Sequence, residues 1–284
     1  MTTIHQRVAA ARQQLREAQL SAAEADLGAR LLAEHVLGWT RERFLADAGG
    51  PEPAGFAAAY GELVARRASR EPLPYIVGRR EFWGLTLEVT PDVLIPRHET
   101  ELIVEAALEL TLDPAQPISI VDVGTGSGCV AIAIATERPL ASVMATDLSE
   151  AALTVARRNA ARHGVADRVR FVVADLLAGV DGPLDLIVAN PPYVRDRDER
   201  GLQPEVRNEP SLALYSGPDG LDAIARLIAG APPLLRSGGH LVFEFGLGQD
   251  DEIERLLRGQ PSLTLLELRR DLQGIARTAV ARRV

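Results

Sequence analysis

The chain contains no lysine: all 31 of its Lys/Arg positions are arginine. That absence removes whole chemistries. Schiff-base catalysis, the P-loop phosphate cradle and the kinase strand lysine all need an ε-ammonium. Pyridoxal enzymes, ordinary P-loop NTPases and kinases are therefore excluded. The abundance of alanine, glycine and proline alongside arginine fits the codon usage of a GC-rich genome. Cysteine is nearly absent too. Cys129 stands alone among 284 residues, so there is no disulfide framework and no cysteine zinc cluster. The histidines, at 5, 35, 98, 163 and 240, lie too far apart for a metal-type spacing. No metal is expected. The longest wholly apolar run, Cys129–Ala135, is far short of the roughly 20 residues a membrane span needs. A cytoplasmic protein with no membrane partner is expected.

Positive charge is also in deficit. The formal net charge is −8, which argues against a whole-surface nucleic-acid binder. Residues 1–78 hold nine Arg and nine acids, so the entire excess lies in 79–284. Residues 79–113 alone carry three Arg against eight acids. Within them Glu101, Glu105 and Glu109 repeat at helical spacing with no base beside them in sequence.

Residues 1–74 read as a helical bundle. Arg7, Arg12 and Arg16 without an acid resemble a transit peptide, but Ile4, Val8, Ala11 and Leu15 at helical spacing favour a docked helix. Ser21 and Glu24 form a capping box opening a helix with Leu27, Leu31, Leu32 and Val36 as its apolar face and Gly38 as its stop. Thr40 can cap a shorter helix, and Phe56, Tyr60, Leu63 and Val64 mark another. Pro72 and Pro74 predict a linker. Residues 75–96 hold that linker and a hairpin turning near Gly84. From about 97 to the end, strands alternate with helices. Seven apolar strands are expected at 118–123, 143–146, 169–173, 184–189, 240–245, 263–268 and 275–281, the last two antiparallel. The fold class is α/β, a seven-stranded doubly wound, Rossmann-like domain behind an amino-terminal helical bundle.

Three features carry chemistry. Gly124-Thr125-Gly126-Ser127-Gly128 follows a strand, where bare backbone lets a ligand approach closely. Asp147 ends the next strand, 23 residues after Gly124, placed to accept from two ribose hydroxyls. Nicotinamide dinucleotides and S-adenosylmethionine both fit that pair. The third glycine of a dinucleotide fingerprint is Cys129 here, and a sulfonium suits an acidic pocket, which favours S-adenosylmethionine. Asp175 can reach the adenine amino group. Asn190-Pro191-Pro192-Tyr193 decides between them. Its prolines hold the backbone extended, so the Asn190 side-chain oxygen and Pro191 carbonyl can accept both hydrogens of a planar NH₂ group. Tyr193 can pack flat on that group. Methyl transfer to a planar nitrogen is the implied reaction.

Pro72–Gly78, Glu81-Phe82-Trp83-Gly84, Leu94–Glu101, Asp122–Gly128, Asn190–Tyr193, Glu209-Pro210 and Glu244–Gln249 together resemble the protein-(glutamine-N5) methyltransferases that modify peptide chain release factors. The resemblance spans nearly the whole chain. It implies S-adenosylmethionine as cofactor, S-adenosylhomocysteine as product, and the glutamine of the Gly-Gly-Gln loop of release factors one and two as substrate. It further implies cofactor contacts at Gly124–Gly128, Asp147, Leu176 and Asn190, with Pro191, Pro192 and Tyr193 framing the amide. The helical domain would hold the release factor, and the enzyme is expected to be a monomer without a direct nucleic-acid partner. His98 stands where the family usually has proline, and Leu176 where a larger aromatic can occur. Adenine-N6 methyltransferases share the Asn-Pro-Pro-Tyr tetrad, but an acidic chain lacks their basic groove. A non-catalytic binding module is opposed by the intact loop and tetrad, and an NAD-dependent oxidoreductase by Cys129.

Overall fold

The computed structural model describes residues 2–284. The chain forms two compact units, Met1–Gly78 with Gln203–Asn208, and Arg79–Leu202 with Glu209–Val284. In the first unit, α1 spans Ile4–Glu17, α2 Ala22–Leu37, α3 Arg41–Asp47, α4 Phe56–Ala68 and α5 Leu73–Val77. Ile4, Val8, Ala11 and Leu15 are all buried, as their spacing predicts. Ser21 and Glu24 satisfy each other's backbone, and Gly38 closes α2 in the left-handed region at φ 62°.

Two expectations fail here. The buried face of α2 is Ala25, Gly28, Ala29, Leu32 and Ala33, whereas Leu27 is 46% exposed. The Leu15 methyl would lie 3.6 Å from a Cβ on Gly28, and the buried Tyr60 hydroxyl donates to the Ala29 carbonyl at 2.8 Å. Such close approach selects small residues, so of the expected stripe Leu32 is buried and Val36 packs against the core, while Leu27 faces outward. Nor do Pro72 and Pro74 make a linker. Pro72 is the N-cap of α5, because a proline lacks only an N–H that the first helical turn leaves unpaired anyway. Residues 203–208 join this unit through Glu205, which accepts from Arg67 and Arg70, each at 2.8 Å.

The second unit opens with the hairpin β1 (Arg79–Phe82) and β2 (Leu85–Glu88). Its turn residues Trp83 and Gly84 both have positive φ, 52° and 68°, as a hairpin turn with matching twist requires. Then follow α6 (Glu101–Leu110), β3 (Ile118–Val123), α7 (Cys129–Glu137), β4 (Ala141–Asp147), α8 (Glu150–Arg162), β5 (Val169–Val173), β6 (Leu184–Ala189), α9 (Asp222–Gly230), β7 (Leu235–Glu244), α10 (Asp250–Arg258), β8 (Leu263–Arg270) and β9 (Ala276–Arg283). Among the described residues the sheet has seven strands in the order β5-β4-β3-β6-β7-β9-β8. β3 to β7 run parallel; β9 is antiparallel to both β7 and β8. The doubly wound expectation is therefore met. β7 starts at Leu235 rather than near 240, since Ser237-Gly238-Gly239 reads as a turn but is strand with one left-handed glycine.

Alternate side chains of the central strands feed two cores. Ile120, Leu186 and Val242 pack with α6 and α7 on one face. Val121, Ile187 and Phe243 pack with α9 and α10 on the other. The strand order reverses between β3 and β6, and the crevice at the carboxyl ends of such strands is where open α/β sheets bind ligands. No described helix is long and apolar enough to cross a membrane.

Candidate active site

The glycine loop leaves β3 and the Asn190–Tyr193 segment leaves β6, so sheet order brings them side by side. They border a cavity of about 670 Å³ lined by Gly124–Ser127, Asp147, Asp175, Leu176, Asn190 and Pro192. Residues 91–94, 96, 210–213 and 215–217 also line it. Glu209 ties those two segments together, accepting from the Ile95 amide at 3.0 Å and Arg97 at 2.5 Å.

The loop is shaped from beneath by Asp122. This buried carboxylate accepts from the Thr125 hydroxyl at 2.6 Å and the Ala131 amide at 3.1 Å. Burial raises it to about 6, against those two stabilising hydrogen bonds. Gly124 and Thr125 each donate a backbone N–H to the Thr146 carbonyl. Asn159, fully buried on α8, donates to the Ser127 carbonyl at 2.9 Å and exchanges hydrogen bonds with the backbone of Glu88.

Asp147 accepts from the Gly126 amide at 2.9 Å through one oxygen and from the Ser149 amide at 2.8 Å through the other. Burial raises its carboxyl above the usual range. Leu176 sits in the left-handed region at φ 52°, rare for a branched residue, held by the Thr146 hydroxyl donating to its carbonyl at 3.0 Å. Asn190 donates through Nδ2 to the Thr100 hydroxyl at 3.0 Å. Thr100 in turn donates to Glu244 at 2.7 Å, and Tyr193 donates to the other Glu244 oxygen at 2.9 Å. Glu244 is 1% exposed; burial raises its carboxyl, and its charge holds the Tyr193 phenol well above 10.

Residues 101–205 match the Methyltransferase small domain family, and residues 6–78 match the PrmC N-terminal domain. The chain is 47% identical over 234 residues to the release factor glutamine methyltransferase of Moorella thermoacetica, covering 81% of this chain and 82% of that protein. It is 42% identical over 290 residues to that of Burkholderia pseudomallei, covering 99% of each. The chain belongs to the release factor glutamine methyltransferase family. A solved structure titled as the hMettl16 catalytic domain with MAT2A 3'UTR hairpin 6 superposes with TM-score 0.58 at 19% identity, over 78% of this chain and 82% of that one. At that identity the likeness is one of fold.

Release factor glutamine methyltransferases are S-adenosylmethionine-dependent, and the residues present fit that group. The cavity volume lies within the range of roughly 300–1,000 Å³ typical of small-molecule sites. A Cβ on Gly126 would meet nothing within 4 Å, and one on Gly124 only the Asn190 carbonyl at 3.8 Å, so the loop presents bare backbone to open space. The Asp147 oxygens accept from the Gly126 and Ser149 amides and border the cavity, where a carboxylate could also accept from a ribose hydroxyl. Among the described residues no group of three or more His, Cys, Asp or Glu is placed to hold a metal ion.

Some expected site residues of this methyltransferase stand elsewhere. Gly128 does not line the cavity: it begins α7 at φ 84°, where a Cβ would press on Ile132 at 2.8 Å and Ala156 at 3.2 Å. Its glycine serves helix packing. Pro191 is buried and Tyr193 half-buried behind the lining. Asp175 borders the cavity, but Arg226 of α9 donates to its carboxylate at 2.8 Å, which the sequence reading missed. Also missed were the roles of Asp122, Thr100, Glu244 and Asn159. An asparagine on the buried face of a helix was a usable signal for the last. The acidic stripe is partly consumed inside this unit: Glu101 accepts from the Trp83 amide at 3.1 Å and Glu109 pairs with Arg269 at 2.5 Å.

Proposed function

We propose that this chain transfers a methyl group from S-adenosylmethionine to the side-chain nitrogen of the glutamine in the Gly-Gly-Gln loop of release factors one and two. The observation that carries the reading is the Asn190 amide. One of its N–H groups is committed to Thr100, which turns Nδ2 that way and leaves Oδ1 as an acceptor beside the cavity. Asn190 Oδ1 and the Pro191 carbonyl would accept the two N–H groups of the substrate amide, holding its nitrogen edge-on. Pro192 and Tyr193 would frame its plane. Gly124–Ser127, Asp147, Asp175, Leu176 and Asn190 would hold the cofactor, with Asp147 on the ribose and Asp175–Leu176 at the adenine. Gly128 would support that loop without touching the ligand.

Bound S-adenosylmethionine would supply the electrophilic methyl group and leave as S-adenosylhomocysteine, the substrate amide giving up one N–H proton to water. The protein need only align and orient, effects worth up to about 7–11 kcal/mol. Residues 1–74 would hold the body of the release factor, 75–96 would connect, and 97–284 would catalyse. The enzyme would be a cytoplasmic monomer without nucleic-acid or membrane partners. Relatives 42–47% identical are named for release factor glutamine, so an adenine-N6 activity has no comparable support.

Incubation with methyl-labelled S-adenosylmethionine and either release factor or nucleic acid, followed by mass spectrometry, tests this. Label is expected on the Gly-Gly-Gln glutamine. Label on a base overturns the reading, and no label on any substrate favours a binding module.

A further inference from the structure

We propose that Thr100 and Glu244 form a buried relay that fixes which way the Asn190 amide faces and, through Tyr193, where the adjoining ring lies. Three observations carry it. Thr100 occupies the N-cap position of α6 yet makes no capping hydrogen bond there. Its hydroxyl is committed elsewhere, to Glu244 and Asn190. Thr100 and Glu244 are each 1% exposed, and Glu244, unlike Thr100 and Asn190, does not border the cavity.

With both the Thr100 and the Tyr193 hydroxyls donating to Glu244, proton bookkeeping settles the direction for its ionised form. An ionised carboxylate accepts only, and a threonine hydroxyl has one hydrogen. That hydrogen goes to Glu244, so Thr100 Oγ1 can only accept from its other neighbour. Asn190 must therefore turn Nδ2 toward Thr100 and Oδ1 away from it. A flipped amide would set its oxygen against the Thr100 oxygen with no proton between them, a buried unsatisfied pair. The Tyr193 hydroxyl donates to the second Glu244 oxygen, so one carboxylate orients both residues. Glu244 is not among the cavity-lining residues and works through its two partners; it is a positioning residue. Arg277 and Glu99 also act electrostatically on it, the first favouring its charge and the second opposing it.

The inference rests on the methyl-transfer reading for its consequence but not for its geometry, so two measurements separate them. The first needs no substrate. The Asn190 side-chain NH₂ signal, identified in nitrogen-15 spectra by its loss in Asn190→Asp, should exchange with solvent at least about tenfold more slowly in the native protein than in Thr100→Val, because only the native protein holds it in a hydrogen bond to Thr100. The second is steady-state kinetics. Glu244→Gln, which can donate as well as accept, and Thr100→Val should each lower kcat about 10- to 100-fold, with KM for S-adenosylmethionine within about threefold. Thr100→Ser, which keeps the hydroxyl, should recover most of that loss. Native kcat in Glu244→Gln, equal damage in Thr100→Ser and Thr100→Val, or a freely exchanging native amide each overturns the relay. Should Thr100→Val fail to fold, the isosteric Glu244→Gln carries both measurements. Slow amide exchange without any transfer to glutamine sinks the substrate reading and leaves the relay standing.

Discussion

Gly220→Ala isolates the backbone placement of Tyr193 from every side chain that touches the cavity. Gly220 has φ +71°, and an added Cβ would stand 2.3 Å from the Tyr193 carbonyl oxygen and 3.0 Å from Gln249 Nε2. Real Cβ contacts essentially never fall below 3.0 Å, so the Tyr193 carbonyl or the loop must yield by about 0.7 Å. Gln249, 3% exposed, donates to that same carbonyl at 3.2 Å and accepts from the Gly246 amide at 2.7 Å, which leaves little room to yield elsewhere. Forcing alanine into the left-handed region costs about 1–2 kcal/mol. At about 2–4 °C per kcal/mol for a domain of this size, that strain alone should lower the melting temperature by about 2–8 °C, and the displaced carbonyl should add to the loss. A displacement approaching 1 Å next to Asn190 should lower kcat about 100-fold. Cofactor affinity should hardly change, since Gly124–Ser127 and Asp147 are untouched. Gly164→Ala is the control: it has the same backbone strain at φ +70° but nothing within 4 Å of the new Cβ. It should lose the same few degrees and no activity. If Gly220→Ala loses at least as much stability as the control yet turns over within about twofold of the native protein, the tetrad's backbone position does not limit the rate and the alignment argument fails.

Asn190→Ala should abolish transfer with the melting temperature nearly unchanged; near-normal turnover would show that amide orientation is not how the rate is gained. Asp147→Ala should weaken S-adenosylmethionine binding by about tenfold or more, since two hydrogen bonds to a charged acceptor are lost, and isothermal titration would expose an unaffected Kd. The folded protein binds the Asp122 proton more tightly than the unfolded chain, to about 6 against about 3.9, so this residue's cost sets in as pH rises from 4 to 6, reaching about 3 kcal/mol above that. Melting curves of Asp122→Asn should lack that component of the pH slope, and superimposable slopes would refute the burial argument. In the helical unit, Leu27→Gln should cost less than about 0.5 kcal/mol, while Leu32→Ala, fully buried, should cost about 2–5 kcal/mol in denaturant titrations.

The sequence was most legible where a residue's backbone chemistry leaves it few alternatives. The glycine loop, the proline-stiffened tetrad, the Ser21–Glu24 capping box and the apolar strands are local statements, and the structure places each where such residues must go. It was least legible where the same residue type serves two purposes. Pro72 and Pro74 break a helix in its interior but start one at its first turn, so the same pair reads as a linker and folds as α5. Leucines at helical spacing mark an apolar stripe on α2, but only Leu32 of them is buried, the rest of the packed face being Ala25, Gly28, Ala29 and Ala33. Gly128 belongs to the ligand loop by spacing and to the packing of α7 by geometry.

The site shows the same division at longer range. The place of Asp147 is legible because it ends the strand next to the loop, a constraint on sequence distance. Thr100 and Glu244 carry no such constraint: they are 144 residues apart and meet only because α6 lies against the strand that ends at Glu244. Nothing about a threonine before a helix says that it will forgo its cap, and nothing about a glutamate closing an apolar strand says that it will be buried rather than solvated. Direction in a hydrogen-bond network is a property of the whole set of donors and acceptors, so it becomes readable only when all members are in place. The tetrad can therefore be found from sequence alone, whereas the orientation of the Asn190 amide requires residues that no local pattern announces.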